Sequence, residues 1–437
     1  IDEVVDYIEK FDTDEERLPL EDQQSREHFF ENFKLEQGSA FEELLIRTLQ
    51  LMESMEGEDT FLSSAYSFWK ESYAKTPDEV PDSWERLMEE LEMDPDDEEN
   101  MFRYMFALET AYAVFARLIM AKSGDDYDFP RTSFSGFVER NVQSASNQGD
   151  IALASWAKIT QDLISDMREK MVDSIFEEDI FYWWTEPFDD KTHVDFFKQR
   201  VEPEAARFGQ SLGKIILMMY KFDFARIDGD PLGVLYQQYF DKETRKALGE
   251  FYTPQEVVDY ILDSVDYEGR KLVETEKRLL DPACGSGTFP VTAVQRYIDA
   301  AERSGYAEEN GWDTVLDEIC NQYRIVGFDI HPFATLLAQI QFMLAIMKPY
   351  KKALESTERG EYFQIKRIPI FRTDSLKDES KGEDPSLDQF EEGTKFKMDI
   401  ELPVNEQEGG EFFEQQFEMP TPEAAREAGL YNNQEYF

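Results

Sequence analysis

The sequence DPACGSGTF at residues 281–289 decides the fold class of this 437-residue chain. It follows a short run at 277–280, which is apolar at its end and typical of a β-strand, and it precedes a helical pattern at 289–301. Glycines between a strand and a helix let backbone N–H groups approach a ligand closely. The helix N-terminus that follows favours a carboxylate or phosphate. The stretch therefore predicts a ligand-binding turn.

Two more strand-like runs follow, at 323–328 and 368–371, with a second helical pattern at 332–347 between them. Alternation of strands and helices predicts a parallel sheet of the α/β, Rossmann-like class, of which this chain holds a part. Open α/β sheets bind ligands at the carboxyl ends of their strands. The three predicted strands end at or near Asp281, Asp329 and Asp374.

The first half of the chain differs from this pattern because it carries helical periodicity alone. Apolar residues recur at helical spacing over 42–56, 101–120, 151–176 and 202–220, and the second of these is apolar on most faces. We therefore predict an all-α N-terminal domain at 1–228 with a buried central helix, and breaks at 94–98 and 123–130. The α/β domain then covers 229–437. It holds an acidic insertion at about 377–410, within which residues 395–404 alternate like an edge strand.

The charge of the chain is strongly negative. Lys and Arg total 45 and Asp and Glu total 94, so the formal net charge is −49. Hydrophobic residues at 41% and aromatic residues at 14% exclude an acidic disordered chain. Acids spread over nearly every segment favour a halophilic protein over an ordinary acidic cytoplasmic one, because such a surface stays hydrated in salt. Near 1 M salt the Debye length is about 3 Å, so the charge does not exclude DNA binding.

Several classes of site are not expected from the sequence. Two cysteines cannot form a disulfide framework or a zinc cluster, and the three histidines lie far apart without metal-ligand spacing. The longest apolar stretch, 333–347, is too short to cross a bilayer, and no signal-peptide pattern is present. We expect a cytoplasmic protein with no metal and no membrane partner, and the first residue, Ile1, suggests a cut from a longer chain.

Three ligands could fit a glycine turn of this kind. A nucleotide-triphosphate loop needs a Lys after its last glycine, and none follows Gly287. A nicotinamide fingerprint needs a third glycine or alanine where Pro290 stands, and an acid about 20 residues further on, well before Asp329. S-adenosylmethionine (SAM) needs an acid at the strand end and a glycine bend under its amino acid, and this third arrangement is present.

Four ordered motifs resemble those of the amino-type DNA methyltransferases that modify the exocyclic amine of adenine. They are GEFYTP at 249–254, DPACGSGTF at 281–289, IVGFDIHP at 325–332 and RTDSL at 372–376, preceded by a lead-in DPLGVLY at 230–236. The resemblance covers about 230–376. It implies the N-terminal part of a SAM-dependent methyltransferase domain from a restriction–modification or phage-defence system, and with the acidic composition a haloarchaeal source.

The resemblance assigns roles to individual residues. It implies that Asp281 attracts the ammonium group of SAM and that Asp329 accepts both ribose hydroxyls, a bidentate geometry that suits a carboxylate. It implies that Asp374 meets the adenine of SAM, with Ser375 as a second contact, and that Thr253 binds the SAM carboxylate. The predicted cofactor-binding residues are Tyr252, Thr253, Asp281, Ala283, Gly285, Gly287, Phe289, Asp329, Ile330, Asp374 and Ser375.

Three other features are predicted to be structural. Trp183 and Trp184 are expected in a core or an interface, and His331 is expected to start a helix. Cys284 has no neighbouring residue that would make it a nucleophile, and the resemblance implies only a small loop residue there.

The chain departs from the family at the catalytic motif. An Asn/Asp-Pro-Pro-Tyr/Phe sequence, which holds the flipped adenine in these enzymes, does not occur in residues 1–437, so no catalytic residue is assigned. We expect the chain to end before that motif and to transfer no methyl group alone. Double-stranded DNA, and other restriction or defence subunits, are the predicted partners. Methylation of RNA or protein, or a catalytically incomplete SAM- and DNA-binding subunit, stays open, and no nuclease pattern is evident.

Overall fold

The computed structural model describes residues 17–56, 60–74, 80–129, 134–136, 138–140, 155–170, 173–176, 179–188, 201–225, 253–275, 277–356, 363–365, 367–373, 395–403 and 412–420. Its helices are α1 (Gln23–Phe33), α2 (Ala40–Ser54), α3 (Phe61–Ser72), α4 (Asp82–Glu90), α5 (Glu98–Asp126), α6 (Ser155–Lys170), α7 (Asp173–Phe176), α8 (Glu202–Met219), α9 (Gln255–Ser264), α10 (Lys271–Glu274), α11 (Thr288–Arg303), α12 (Tyr306–Asn310), α13 (Trp312–Leu316) and α14 (Pro332–Ser356). A 3₁₀ segment covers Ile180–Phe188 and a π turn covers Asp317–Asn321. The strands are β1 (Leu18–Pro19), β2 (Phe222–Asp223), β3 (Leu279–Asp281), β4 (Ile325–Asp329), β5 (Ile370–Arg372), β6 (Lys395–Pro403) and β7 (Phe412–Pro420).

The helical first half is built around α5. The Asp97 side chain caps this helix by accepting from the backbone N–H of Glu99, and nearly every residue from Met101 to Gly124 is buried. Helix α5 is the one described helix long and apolar enough to cross a membrane, yet its apolar window is wholly buried inside the protein. The predicted buried central helix is therefore confirmed.

The predicted break at 123–130 is wrong at its start, because α5 continues to Asp126. Two polar side chains in its last turn are buried with partners. Lys122 pairs with Asp126 one turn along, and Asp126 also accepts from Arg17 and from the backbone N–H of Phe224. Because buried charges are tolerated when they are paired and hydrogen-bonded, this network carries the helix beyond its apolar stretch.

The α/β region holds a three-stranded parallel sheet in the order β3-β4-β5. Leu280 pairs with Val326 and Gly327 pairs with Ile370, both in parallel register. Helices α11, α12 and α13 lie between β3 and β4 along the chain, and α14 lies between β4 and β5. Strand β4 lies in the middle and is buried until its last residue. The predicted parallel sheet is thus present as a small sheet within a mostly helical protein.

The two halves share one hydrophobic core. Helix α14 packs between the sheet and α5, and the Phe333 ring contacts Tyr112 of α5 and Phe181 of the 3₁₀ segment at centroid distances of 5.7 and 5.9 Å. The 3₁₀ segment also buries Trp183 and Trp184 completely, which confirms their predicted core position. The helical first half therefore supports the helix that follows β4 directly.

Helix α14 is longer than predicted, since it continues past 347 to Ser356 with Pro349 inside it. Pro349 and the neighbouring Tyr350 are buried, and Lys352 lies over the Trp312 ring at 4.8 Å. Packing and side-chain contacts on both sides hold the helix together despite the missing proline N–H.

A separate hairpin pairs β6 with β7 in antiparallel register, from Lys395 opposite Pro420 to Pro403 opposite Phe412. The strand predicted at 395–404 is confirmed as β6, whereas its partner β7 was not predicted. The hairpin forms its own two-stranded sheet and does not join β3–β5.

Candidate functional site

The Asp329 carboxylate sits at the carboxyl end of the central strand and is held by two backbone amides. Its Oδ2 accepts from the N–H of Gly285 at 2.8 Å, and its Oδ1 accepts from the N–H of His331 at 2.8 Å. The first bond crosses from β4 to the glycine turn after β3. Each carboxylate oxygen has two lone pairs, so each keeps capacity for a further donor. Each oxygen of the carboxylate can therefore accept one further hydrogen bond.

The glycine turn between β3 and α11 is fixed by backbone hydrogen bonds. The N–H of Cys284 donates to the carbonyl of Phe328 at 2.7 Å, and the N–H of Gly287 donates to the carbonyl of Cys284 at 2.9 Å. Gly287 has a φ of +100°, and a Cβ there would lie 3.0 Å from the Cα and Cβ of Ala338. Backbone geometry and close packing on α14 both require glycine at this position.

Asp281 ends β3 and brings a second carboxyl to the same edge. Its Oδ1 accepts from the N–H of Ala283 at 3.2 Å. Burial, together with repulsion from Asp329, raises the pKa of Asp281 to about 6, against the lowering effect of the Ala283 bond. Burial also raises the pKa of Asp329, although its backbone hydrogen bonds oppose that shift. Two desolvated carboxyls at one strand edge form a site that favours a cationic ligand.

Helix α9 follows Thr253 and packs against α11, the helix of the glycine turn. Gln255 donates to the hydroxyl of Thr292 at 3.1 Å, and Arg296 of α11 pairs with Asp259 and Asp263 of α9 at 2.7 and 2.6 Å. These contacts attach the segment that contains Thr253 to the first turns of α11. Thr253 itself is half-buried.

The remaining predicted residues are distributed unevenly around the turn. Ala283 is exposed and supplies its N–H to Asp281, while Ile330 is 51% exposed beside Asp329. Phe289 is half-buried and packs against the hydrophobic core. Tyr252, Asp374 and Ser375 lie outside the described residues. The structure thus joins Asp281, Ala283, Gly285, Gly287 and Asp329 in one hydrogen-bonded edge.

Sequence reasoning missed part of this edge. The N–H of Thr373, just after β5, donates to the carbonyl of Asp329 at 3.0 Å. The hydroxyl of Thr335 donates to the carbonyl of His331 at 3.0 Å. A cavity of about 780 Å³ lies beside this first turn of α14 and is lined by Phe61, Phe68, Thr335, Arg367 and Arg372 among others. Thr335 forms part of no motif, and Thr373 lies in the RTDSL motif at 372–376, where the resemblance assigned roles only to Asp374 and Ser375.

Comparison with known proteins identifies the region that contains this edge. Residues 228–363 match the family described as N-6 DNA Methylase. This region is therefore similar to members of the N-6 adenine DNA methylase family. The resemblance seen in the sequence motifs is therefore confirmed at the level of the family, whose members use SAM.

Several curated relatives align with the N-6 adenine methylase region. A type I restriction enzyme MjaVII methylase subunit from Methanocaldococcus jannaschii is 38% identical over 90 residues, covering 20% of this chain and 14% of the relative. The adenine-specific methyltransferase PglX from Streptomyces coelicolor is 32% identical over 117 residues, covering 26% and 9%. The type II methyltransferase M.PaeR7I from Pseudomonas aeruginosa is 33% identical over 99 residues, covering 23% and 16%. The alignments therefore span less than a fifth of each relative.

Solved structures give a weaker likeness. The type IIL restriction-modification enzyme MmeI in complex with DNA has a TM-score of 0.31 at 17% identity, covering 61% of this chain and 37% of MmeI. A nuclease-deletion mutant of the type ISP enzyme LlaGI with a DNA substrate mimic has a TM-score of 0.33 at 14% identity, covering 80% and 21%.

The carboxyl groups at this strand edge fit the charges and hydroxyl groups of SAM. The cofactor carries a sulfonium and an ammonium group, which suit the paired carboxyls of Asp281 and Asp329. Its ribose offers two adjacent hydroxyls, which match the remaining lone pairs of Asp329. Within the described ranges no cluster of three or more His, Cys, Asp or Glu side chains could hold a metal ion.

Proposed function

We propose that this chain binds SAM at the carboxyl edge of β3, β4 and β5 and contributes to methyl transfer onto the exocyclic amine of adenine in double-stranded DNA. The observation that carries the proposal is the Asp329 carboxylate, held by the N–H groups of Gly285 and His331 with one acceptor position left on each oxygen. The match of residues 228–363 to the N-6 DNA Methylase family supports the reaction type.

In this proposal each end of SAM meets a different part of the edge. Asp281 faces the ammonium group, Asp329 accepts the two ribose hydroxyls, and the absence of a side chain at Gly287 lets the turn lie close to α14 beneath the cofactor. Ile330, being half-exposed, offers an apolar surface beside the ribose. Asp374 and Ser375 remain proposed contacts of the adenine, and Tyr252 and Thr253 remain proposed contacts of the methionine end.

The chain's own contribution to catalysis is positional. SAM supplies an electrophilic methyl group on a good leaving group, so little covalent chemistry is required of the protein. Fixing donor and acceptor in line can contribute up to about 7–11 kcal/mol of barrier lowering. The two carboxyls favour the cationic cofactor over its neutral product, which helps the product S-adenosylhomocysteine (SAH) to leave.

The proposed DNA partner and cellular setting rest on the match to the N-6 DNA Methylase family and on a relative that is the methylase subunit of a type I restriction enzyme. A net charge of −49 supports a halophilic, haloarchaeal source for this chain. In molar salt the Debye length of about 3 Å confines repulsion of phosphates to direct contacts. The acidic surface is then compatible with DNA binding.

A transfer assay tests the target. Tritium-labelled SAM is incubated with mixed-sequence double-stranded DNA and this chain, supplied with a segment carrying the Asn/Asp-Pro-Pro-Tyr/Phe motif in the same chain or as a separate subunit. We expect label in N6-methyladenine, and omission of that segment serves as the control. Label in cytosine, or transfer to RNA or protein in place of DNA, would overturn the proposed target.

A second candidate is a SAM- and DNA-binding subunit that is catalytically incomplete. Within residues 1–437 no Pro-Pro sequence occurs, so no residue of this stretch is assigned to holding the target adenine. Restoration of transfer only by a separate subunit would support this candidate, whereas restoration within one chain would support the enzyme.

A further inference from the structure

His331 carries a buried imidazole that the proposed cofactor site does not use. The residue is 4% exposed, and neither ring nitrogen has a hydrogen-bond partner among the described residues. Burial lowers the pKa of His331 to about 4, so the ring is neutral at neutral pH. A buried polar ring without hydrogen bonds lowers the stability of the folded protein. Its presence at this position therefore calls for a functional explanation.

The ring is enclosed by the helical first half of the protein. Tyr73, directly after α3, packs edge-on against it at a centroid distance of 5.2 Å. The Oε1 atom of Glu109 in α5 lies 3.9 Å from Nε2 of the ring. Glu109 is itself fully buried, and its other oxygen accepts from the indole N–H of Trp69 at 2.9 Å. The imidazole is thus seated against two helical elements rather than in solvent.

The backbone of the same residue belongs to the cofactor edge. Its N–H is one of the two donors that hold the Asp329 carboxylate. Its carbonyl accepts from both the N–H and the hydroxyl of Thr335, each at 3.0 Å, which anchors the residue to α14. One residue therefore joins the helical region, through its side chain, to the carboxylate proposed to bind ribose.

We propose that His331 is a positioning residue through which Tyr73 and Glu109 of the helical region set the orientation of Asp329, and with it the selectivity for the ribose hydroxyls of the cofactor. The inference rests on the proposed function. It assigns the helical first half a direct part in cofactor recognition, because displacing the ring tilts the N–H that fixes Oδ1.

The test compares two ligands by calorimetry in molar KCl: SAH and its 2′,3′-dideoxy analogue, which lacks both ribose hydroxyls. Variants are His331→Phe, which keeps an aromatic ring but removes the nitrogens, and Tyr73→Leu, which removes the ring at a half-buried position. Asp329→Ala is the reference. Glu318→Gln is the matched control, because it also neutralises a buried carboxylate, bonded to Tyr297 and Tyr306, away from Asp329.

We expect His331→Phe and Tyr73→Leu to weaken SAH binding about 5- to 20-fold while changing affinity for the dideoxy analogue less than about twofold, a coupling of the size found between linked sites. In the Asp329→Ala background the same substitutions should have no further effect on SAH. Glu318→Gln should leave the preference for SAH over the analogue at its wild-type value, whatever it does to stability.

The outcomes separate the two proposals. Equal loss for both ligands in the His331 and Tyr73 variants, or unchanged SAH binding in folded Tyr73→Leu, would overturn the positioning role while leaving the site intact. A wild-type protein that binds SAH and the analogue equally would instead overturn the assignment of Asp329 to the ribose. If His331→Phe does not fold, Tyr73→Leu alone decides between these results.

Discussion

Replacing Asp281 by Asn should make the protein more stable without ligand. The pKa of Asp281 is raised to about 6 by burial and by Asp329, so the folded state favours the protonated carboxyl over the ionised one. Asparagine imitates the protonated form, and its side-chain oxygen can still accept from the N–H of Ala283. The substitution therefore removes a buried charge with little change of shape.

The size of the expected stability gain follows from the pKa shift, because a pKa that differs between the folded and unfolded states changes the unfolding free energy. A rise from the usual 3.8 to about 6, at about 1.4 kcal/mol per pH unit, corresponds to about 3 kcal/mol of destabilisation by the ionised group. Because the side chain is half-buried and solvent screens part of its charge, we expect a gain of about 1–2 kcal/mol in the unfolding free energy of Asp281→Asn at about pH 8. The sign is that of an acid with a raised folded pKa. Its ionisation lowers stability as pH rises from about 4 to about 6, and the effect is constant above.

Urea denaturation in molar KCl at about pH 8 and about pH 4.5 measures the gain, which should shrink at the lower value. Asp299→Asn is a suitable control, because among the described residues this exposed α11 side chain pairs with Arg303 alone, one turn away, and should change stability by less than about 1 kcal/mol. A loss of stability in Asp281→Asn at the higher pH, or a gain that does not depend on pH, would refute the electrostatic account of this edge. The same variant should bind SAM more weakly, since it lacks the charge proposed to face the ammonium group.

Three further outcomes are expected. SAM affinity should fall as pH drops below about 6, because Asp281 then takes up a proton. Calorimetry across that pH range measures the affinity, and an affinity that does not change with pH would argue against the ammonium contact. Gly287→Ala should lower the unfolding free energy by about 1–3 kcal/mol, because a φ of +100° is strained for alanine and the added Cβ would lie only 3.0 Å from Ala338. A neutral result by urea denaturation would contradict this packing. The melting temperature should fall steeply from molar to low salt, because a net charge of −49 repels itself when unscreened; a flat melting temperature would contradict the halophilic reading.

The elements around the glycine turn could be predicted from sequence because their signals are local. The strand expected at 277–280 is found at Leu279–Asp281, and the helix expected at 289–301 is found at Thr288–Arg303. The signals for each strand and its turn lie within a few residues of one another. They are an apolar run, an acid at the strand end and, after the first strand, the turn glycines. The cross-strand bond from Gly285 to Asp329 then follows from parallel pairing, which brings neighbouring strand ends together.

The contacts of the helical half could not be predicted in this way. Glu109 lies in the middle of an apolar helix, and its proximity to His331 depends on how α14 packs against α5. The sequence pattern marked His331 only as the start of a helix. Similarly, the helical pattern predicted at 332–347 stops short of the observed end of α14, because buried packing carries the helix to Ser356. Tertiary contacts between distant segments leave no local periodicity to read.

Binding of SAH to the wild-type chain and to Asp329→Ala, measured by calorimetry in molar KCl, shows whether this edge holds the cofactor. We expect one binding event for the wild type and a loss of about 10-fold or more in affinity for the variant, since two charge-assisted hydrogen bonds to the ribose are removed. Equal affinities for two folded proteins would contradict the placement of SAM on the edge formed by Asp281, Gly285 and Asp329.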